Sequence, residues 1–121
     1  MSIEKETLIM QQRRLGDLAV SRGLAETVAG TGVTVNAVMP GPTLSEGVAE
    51  FLGKMGSSGT SGDLEAAGRT FVNEHRPTSL IGRLASTDEV ASMVAYLCSP
   101  AASATTGAAL RVDGGVVRAI V

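Results

Sequence analysis

Aromatic residues are almost absent from this chain: Phe51, Phe71 and Tyr96 are the whole set, and tryptophan does not occur. Proteins that stack single-stranded nucleic acid need several exposed rings, so no such partner is expected. The core has to be built from Val, Leu, Ala, Ile and Met. Cys98 is the sole cysteine and His75 the sole histidine. An intrachain disulfide and a Cys-rich zinc site are therefore excluded, no metal site is expected, and a reducing compartment fits. Charge of one sign is lacking too. The 10 basic and 12 acidic residues leave a net charge of −2, and Arg13-Arg14 is the densest basic pair. No nucleic-acid partner is expected on that count either. No apolar run reaches the roughly 18 residues of a membrane span. The opening stretch MSIEKETLIMQQRR mixes charges early and has no apolar centre, so neither a secretory leader nor a membrane partner is expected, and a cytoplasmic location is.

What is present fits a packed domain. Hydrophobic residues make up 44% of the 121 positions, enough for a core in one domain of ordinary size. Residues 4 to 29 carry Leu8, Leu15, Leu18, Ala19, Arg22, Ala25 and Ala29 at spacings of three and four, which predicts one long helix. Gly16 and Gly23 fall on nearly the same face, where close approach of another backbone would offset their cost of about 1 kcal/mol each. Gly30-Thr31-Gly32 closes the helix. Val33 to Val38 then reads as a strand covered on both faces, cut off by Pro40-Gly41-Pro42. By itself that triplet is a strand terminator.

A short helix is predicted from Ser45 to Met55. Residues 55–62 dissolve into glycine and serine, which predicts a mobile segment. Asp63 to His75 reads as a further helix closed by Pro77, with His75 placed near its terminal carbonyls. Ser86-Thr87-Asp88-Glu89 is a capping box, so Asp88 and Glu89 are helix-start charges rather than an acid pair. Val90, Met93, Val94 and Leu97 form the stripe behind it, with Tyr96 a half-buried and Cys98 an inert core residue. Ala108 to Val112 is a second strand. Asp113 before two glycines reads as a turn former, and residues 116–121 as an apolar end able to pack down. Two parallel strands with flanking helices make an α/β unit whose sheet is marginal alone.

Three stretches then carry a resemblance: LAVSRGLAE (18–26), GTGVTVNAVMPGPT (30–43) and IGRLASTDEVASMVAYLCSPAASATTGAALRVDGG (81–115). In that order and at those intervals the chain resembles the short-chain dehydrogenase/reductase family from its catalytic helix to its last strand. The resemblance covers residues 15–115, with 1–14 divergent. It implies a truncated C-terminal half of a doubly wound Rossmann-like fold, in one partial domain over 1–121. It also implies NAD or NADP as the family's cofactor. Carried over singly, Pro40 and Gly41 match the turn beside the nicotinamide, Thr43 a position whose backbone meets the carboxamide, and Ser45 a hydroxyl position near the phosphates.

The same resemblance points to departures. Aligned through LAVSRGLAE, Met10 stands where the family has its catalytic tyrosine and Arg14 where it has the lysine. Methionine has no exchangeable proton and does no general acid work. No Gly-x-x-x-Gly-x-Gly stretch occurs, and Gly53, Gly56, Gly59 and Gly62 follow a helix rather than a strand. No catalytic residue is therefore assigned, and no cofactor is expected to bind the chain alone. The favoured expectation is an inactive chain that folds by self-association, as a dimer or tetramer. The alternative is an NAD(P)-dependent oxidoreductase component completed by another chain. A related full-length reductase is the other partner considered.

Overall fold

The computed structural model describes residues 3–56 and 61–120, with side chains from residue 15 onward. The low-complexity stretch thus lies in large part outside the described residues, as do the side chains of Met10 and Arg14. The backbone packs as two units, Met1–Val38 with Tyr96–Leu110, and Met39–Ala95 with Arg111–Val121.

In the first unit, helix α1 spans Ile3–Thr27. Thr27 Oγ1 donates to the Gly23 carbonyl, and Gly30, at φ +79°, turns the chain out of the helix. The expected apolar stripe is only partly covered. Ala25 is buried and Leu18 half-buried, but Leu15 is 68% exposed, as are Leu24 (50%) and, off the stripe, Val20 (72%). Among the described residues nothing lies within 4 Å of a Cβ placed on Gly16 or Gly23, so the close approach expected there is not seen.

The first strand differs from expectation. Strand β1 is Ala37–Pro40, not 33–38. The segment before it pairs irregularly. Gly107 N donates to the Val35 carbonyl at 2.7 Å, but Thr106 Oγ1, not a carbonyl, accepts from Val35 N at 3.1 Å. Asn36 donates from Nδ2 to the Thr105 carbonyl at 2.8 Å, and its Oδ1 accepts from Ala108 N at 3.2 Å. Side-chain groups thus take part of the bonding on both sides, and regular pairing starts one residue past Asn36. Strand β1 then continues through Pro40, which ends the strand rather than preventing it.

In the second unit a two-residue strand β2 (Thr43–Leu44) is followed by helices α2 (Glu46–Lys54) and α3 (Ser61–His75). Strand β3 (Ala85–Ser86) leads directly into helix α4 (Thr87–Leu97), and a last strand β4 is Ala109–Val112. The strands form two pairs, β1 with β4 and β2 with β3. The second pair is parallel, with Thr43 opposite Ala85 and Leu44 opposite Ser86.

Leu52, Val72 and Leu84 form the core of this unit, with Leu44, Val48, Leu64, Ala67 and Phe71 packed on it. Gly68 lets Leu84 in: a Cβ there would come 2.8 Å from Leu84 Cδ1. Phe71 meets Phe51 edge-on at 6.3 Å and stacks on His75 at 4.5 Å. Helix α4 buries none of its side chains. Tyr96 is 46% exposed and Cys98 is exposed as well. Tyr96 is thus about half-buried, as expected, whereas Cys98 is not in a core: it lies one residue past the end of α4, where the described residues leave it uncovered.

Candidate functional site

The Pro40–Ser45 loop is fixed by short-range backbone chemistry at every step. Gly41 N donates to the Val112 carbonyl at 3.0 Å as β1 ends. Ala85 N donates to the Pro42 carbonyl at 2.9 Å, which starts the β2–β3 pair. Thr43 Oγ1 donates to the Gly41 carbonyl at 2.9 Å, and Ser45 N donates to the Thr43 carbonyl at 3.0 Å. Ser45 is the N-cap of α2, its Oγ accepting from Val48 N at 3.4 Å. The chain does not leave the sheet at the proline break: it steps across two residues into a second parallel pair.

Pro40, Gly41, Thr43 and Ser45 therefore lie along one continuous, half-buried turn, with Pro40 its exposed end. Gly41 is required here by space. A Cβ on it would sit 2.6 Å from Asp113 Cα and 2.9 Å from Asp113 Cβ, so two backbones meet where only hydrogen fits. Asp113 does form the turn expected of it. Its Oδ1 accepts from Gly115 N at 2.9 Å and its Oδ2 from Val117 N at 3.1 Å. Its contact with Gly41 was not foreseen, because 72 positions of sequence separate the two and neither is unusual locally.

The other unforeseen residue is Arg83. The capping box forms as read, with Glu89 N donating to Ser86 Oγ at 3.1 Å and Ser86 N to Glu89 Oε2 at 2.8 Å. Arg83 adds a two-pronged bond to the same carboxylate, at 2.9 and 2.8 Å, and a third bond to the Leu84 carbonyl at 3.0 Å. The guanidinium, and then the Ser86 amide, hold the Glu89 carboxyl down at about 2. The same pairing raises the Arg83 value. An Arg six positions before a capping glutamate is the only signal in the sequence.

The donor set can be compared with the nicotinamide dinucleotide that the resemblance implies. Residues 40–46 carry no cation, and Glu46 puts a carboxylate in the first turn of α2. A phosphate there would meet the Ser45 hydroxyl and the first-turn amides of α2, which favour an anion, and the Glu46 carboxylate, which opposes it. A cavity of about 350 Å³, lined by Leu44, Leu64, Arg83, Leu84 and Ser86 among others, abuts β2 and β3. A cleft of about 440 Å³ between α2 and α3 is lined by Leu52, Met55, Phe71 and His75 among others. None of the four loop residues lines either. Among the described residues no group of three His, Cys, Asp or Glu could hold a metal ion, and no helix is long and apolar enough to cross a membrane.

Comparison with known proteins agrees with this geometry. The family described as enoyl-(acyl carrier protein) reductase matches residues 2–117. YvaG, an uncharacterized oxidoreductase of Bacillus subtilis (strain 168), is 50% identical over 103 residues, covering 85% of this chain and 39% of YvaG. L-sorbose reductase from Gluconobacter frateurii, solved with NADPH and L-sorbose, is 28% identical with a TM-score of 0.68, over 85% of this chain and 38% of that one. An NADPH-bound short chain oxidoreductase with an atypical catalytic center, from Pseudomonas aeruginosa PAO1, is 25% identical with a TM-score of 0.72, over 88% and 37%. The chain thus spans 39% of the length of the curated relatives it matches best among these. On its matched residues and its fold, the chain belongs to the short-chain dehydrogenase/reductase family.

Proposed function

We propose that this chain, as the 121 residues stand, is a non-catalytic part of a short-chain dehydrogenase/reductase that folds by associating with copies of itself. The observation that carries the reading is the pairing of an ordered Pro40–Ser45 loop with Met10 at the position matching the family's tyrosine. The loop supplies backbone and hydroxyl groups, whereas a proton donor for hydride chemistry is missing from the helix that should bear it. Arg14 at the lysine position does not replace that donor, because a guanidinium stays protonated.

Uncovered apolar side chains support the self-association: Leu15, Val20 and Leu24 on α1 and Val94 on α4 are 45–72% exposed, on faces that a second copy would cover. A two-fold dimer, or a tetramer of dimers, is the closed form favoured on general grounds.

A second reading has one observation in its favour. The Gly41–Asp113 contact fixes the loop through this chain's own backbone, as a subunit completed by another chain would require. The two readings separate in one experiment: turnover of NAD(H) and NADP(H) with a panel of alcohols and carbonyls, by the chain alone and mixed with a fragment of a relative that keeps its phosphate loop, catalytic tyrosine and lysine but lacks the part matching residues 15–115 and is inactive by itself. The first reading expects none in either case. Turnover restored only in the mixture supports the second, and turnover proportional to this chain alone defeats both.

A further inference from the structure

We propose that residues 114–120 are a detachable strap, latched by Asp113, Thr78 and Arg111, which opens as one unit while the α2–α3 core stays folded. The inference goes beyond the functional reading above and takes residues 113–120 to lie outside the surface through which copies associate.

The attachments of this segment are polar. Asp113 holds the amides of Gly115 and Val117. Thr78 Oγ1 donates to the Val116 carbonyl at 2.6 Å. The Gly114 carbonyl accepts from both Leu80 N and Ile81 N, at 2.8 and 3.1 Å. Arg111 Nη2 reaches the carbonyls of Ala119 and Ile120. Gly114 and Gly115, at φ +63° and +79°, make the sharp turn that lets the strap double back on residues 78–81. Side chains at those glycines would strike Ile81 and Leu80 at 2.6 Å.

Apolar burial contributes little here. No residue from Asp113 to Ile120 is buried. Leu80 is 86%, Val117 49% and Ile120 97% exposed. The core of the same unit is different: Val72 is wholly buried, and Leu52 and Leu84 nearly so. Segments held by exposed hydrogen bonds and few buried contacts open at a lower free energy than packed cores. The strap's bonds also share carriers. Asp113 grips two of its amides, and Gly114 serves both of the 80–81 amides. Freeing one end therefore loosens the rest, which makes opening concerted.

The test is amide hydrogen exchange, resolved by residue, on the full chain in the assembly it forms. In the unmodified protein, Gly115, Val117, Leu80 and Ile81 should exchange at a common level of protection, well below that of Val72. The variant Thr78→Val removes only the donor to Val116 and touches none of the four amides. It should raise exchange at all four by about fivefold, the loss of one ordinary hydrogen bond, and leave Val72 unchanged. Asp113→Asn, which keeps one acceptor, should do the same. Faster exchange limited to a single amide, or protection at these four equal to that of Val72, would overturn the strap. If either variant unfolds globally, Val72 exchanges with the rest, and that too counts against a separable unit.

Discussion

Gly41 and Asp113 meet backbone to backbone: a methyl on Gly41 would stand 2.6 Å from Asp113 Cα. The end of β1 and the turn after β4 are thereby pressed together at a point where neither chain can yield cheaply. Gly41 N also bonds the Val112 carbonyl, so displacing one side lengthens a strand bond on the other. Gly41→Ala should cost about 1–3 kcal/mol, the usual penalty for inserting a carbon where packing is full. Chemical denaturation checks the magnitude. The Gly41 amide should also lose protection first.

Asn36 is a second point of fixation. Its amide bridges the Thr105 carbonyl and the Ala108 amide. Asn36→Ala leaves both part-buried groups without that partner and should cost about 1–3 kcal/mol. Asn36→Asp keeps the acceptor for Ala108 N but loses the donor and sets a carboxylate against a carbonyl. It should be no better than the alanine variant, as measured by thermal melting of the two side by side.

The start of α4 has a pH signature. Arg83 and the Ser86 amide hold Glu89 at about 2 when folded, against about 4.3 in an unfolded chain. The folded form releases this proton at lower pH than the unfolded form does. The stabilisation is therefore complete above about pH 4.3 and is lost as pH falls toward 2. Glu89→Gln should flatten the stability profile over that interval and change little at neutral pH beyond a constant offset. Melting temperature against pH for the two proteins decides it.

Much of this organisation was legible in the sequence, wherever the cause was local. The Ser86–Glu89 box, the helix ending at His75 and the strand ending at Val112 each rest on residues within a few positions of one another. What escaped notice depended on distance or on competition. The two-residue strands at Thr43 and Ala85 have no periodicity to detect. The strand expected from Val33 begins at Ala37 because the side chains of Asn36 and Thr106 take part of the bonding before it. Cys98 follows an apolar stripe, but a stripe states only what should be covered, not that this chain covers what comes after it. The turn at Pro40–Ser45 was identifiable from its glycine and prolines. Its close fit against Asp113 was not, since 72 positions lie between them.

Restoring the family's residue types on the long helix should not restore chemistry. Met10→Tyr with Arg14→Lys supplies a phenol and an ammonium at the matching positions. Neither change adds a cation to residues 40–46 or removes Glu46 from the start of α2. The double variant should show no cofactor turnover above a buffer control. Measurable turnover proportional to protein would show that the side chains at 10 and 14 were the only deficit.

The central claim is that this chain is folded because it is assembled. The apolar side chains of Leu15, Val20 and Leu24 on α1 and of Val94 on α4 stand half or more open to solvent, or nearly so. The most direct measurement is sedimentation velocity across a dilution series, with circular dichroism on the same samples. The account predicts a dimer or larger species at high concentration, and loss of helix together with loss of mass on dilution. A monomer that keeps its helix and melts cooperatively at low micromolar concentration would contradict it.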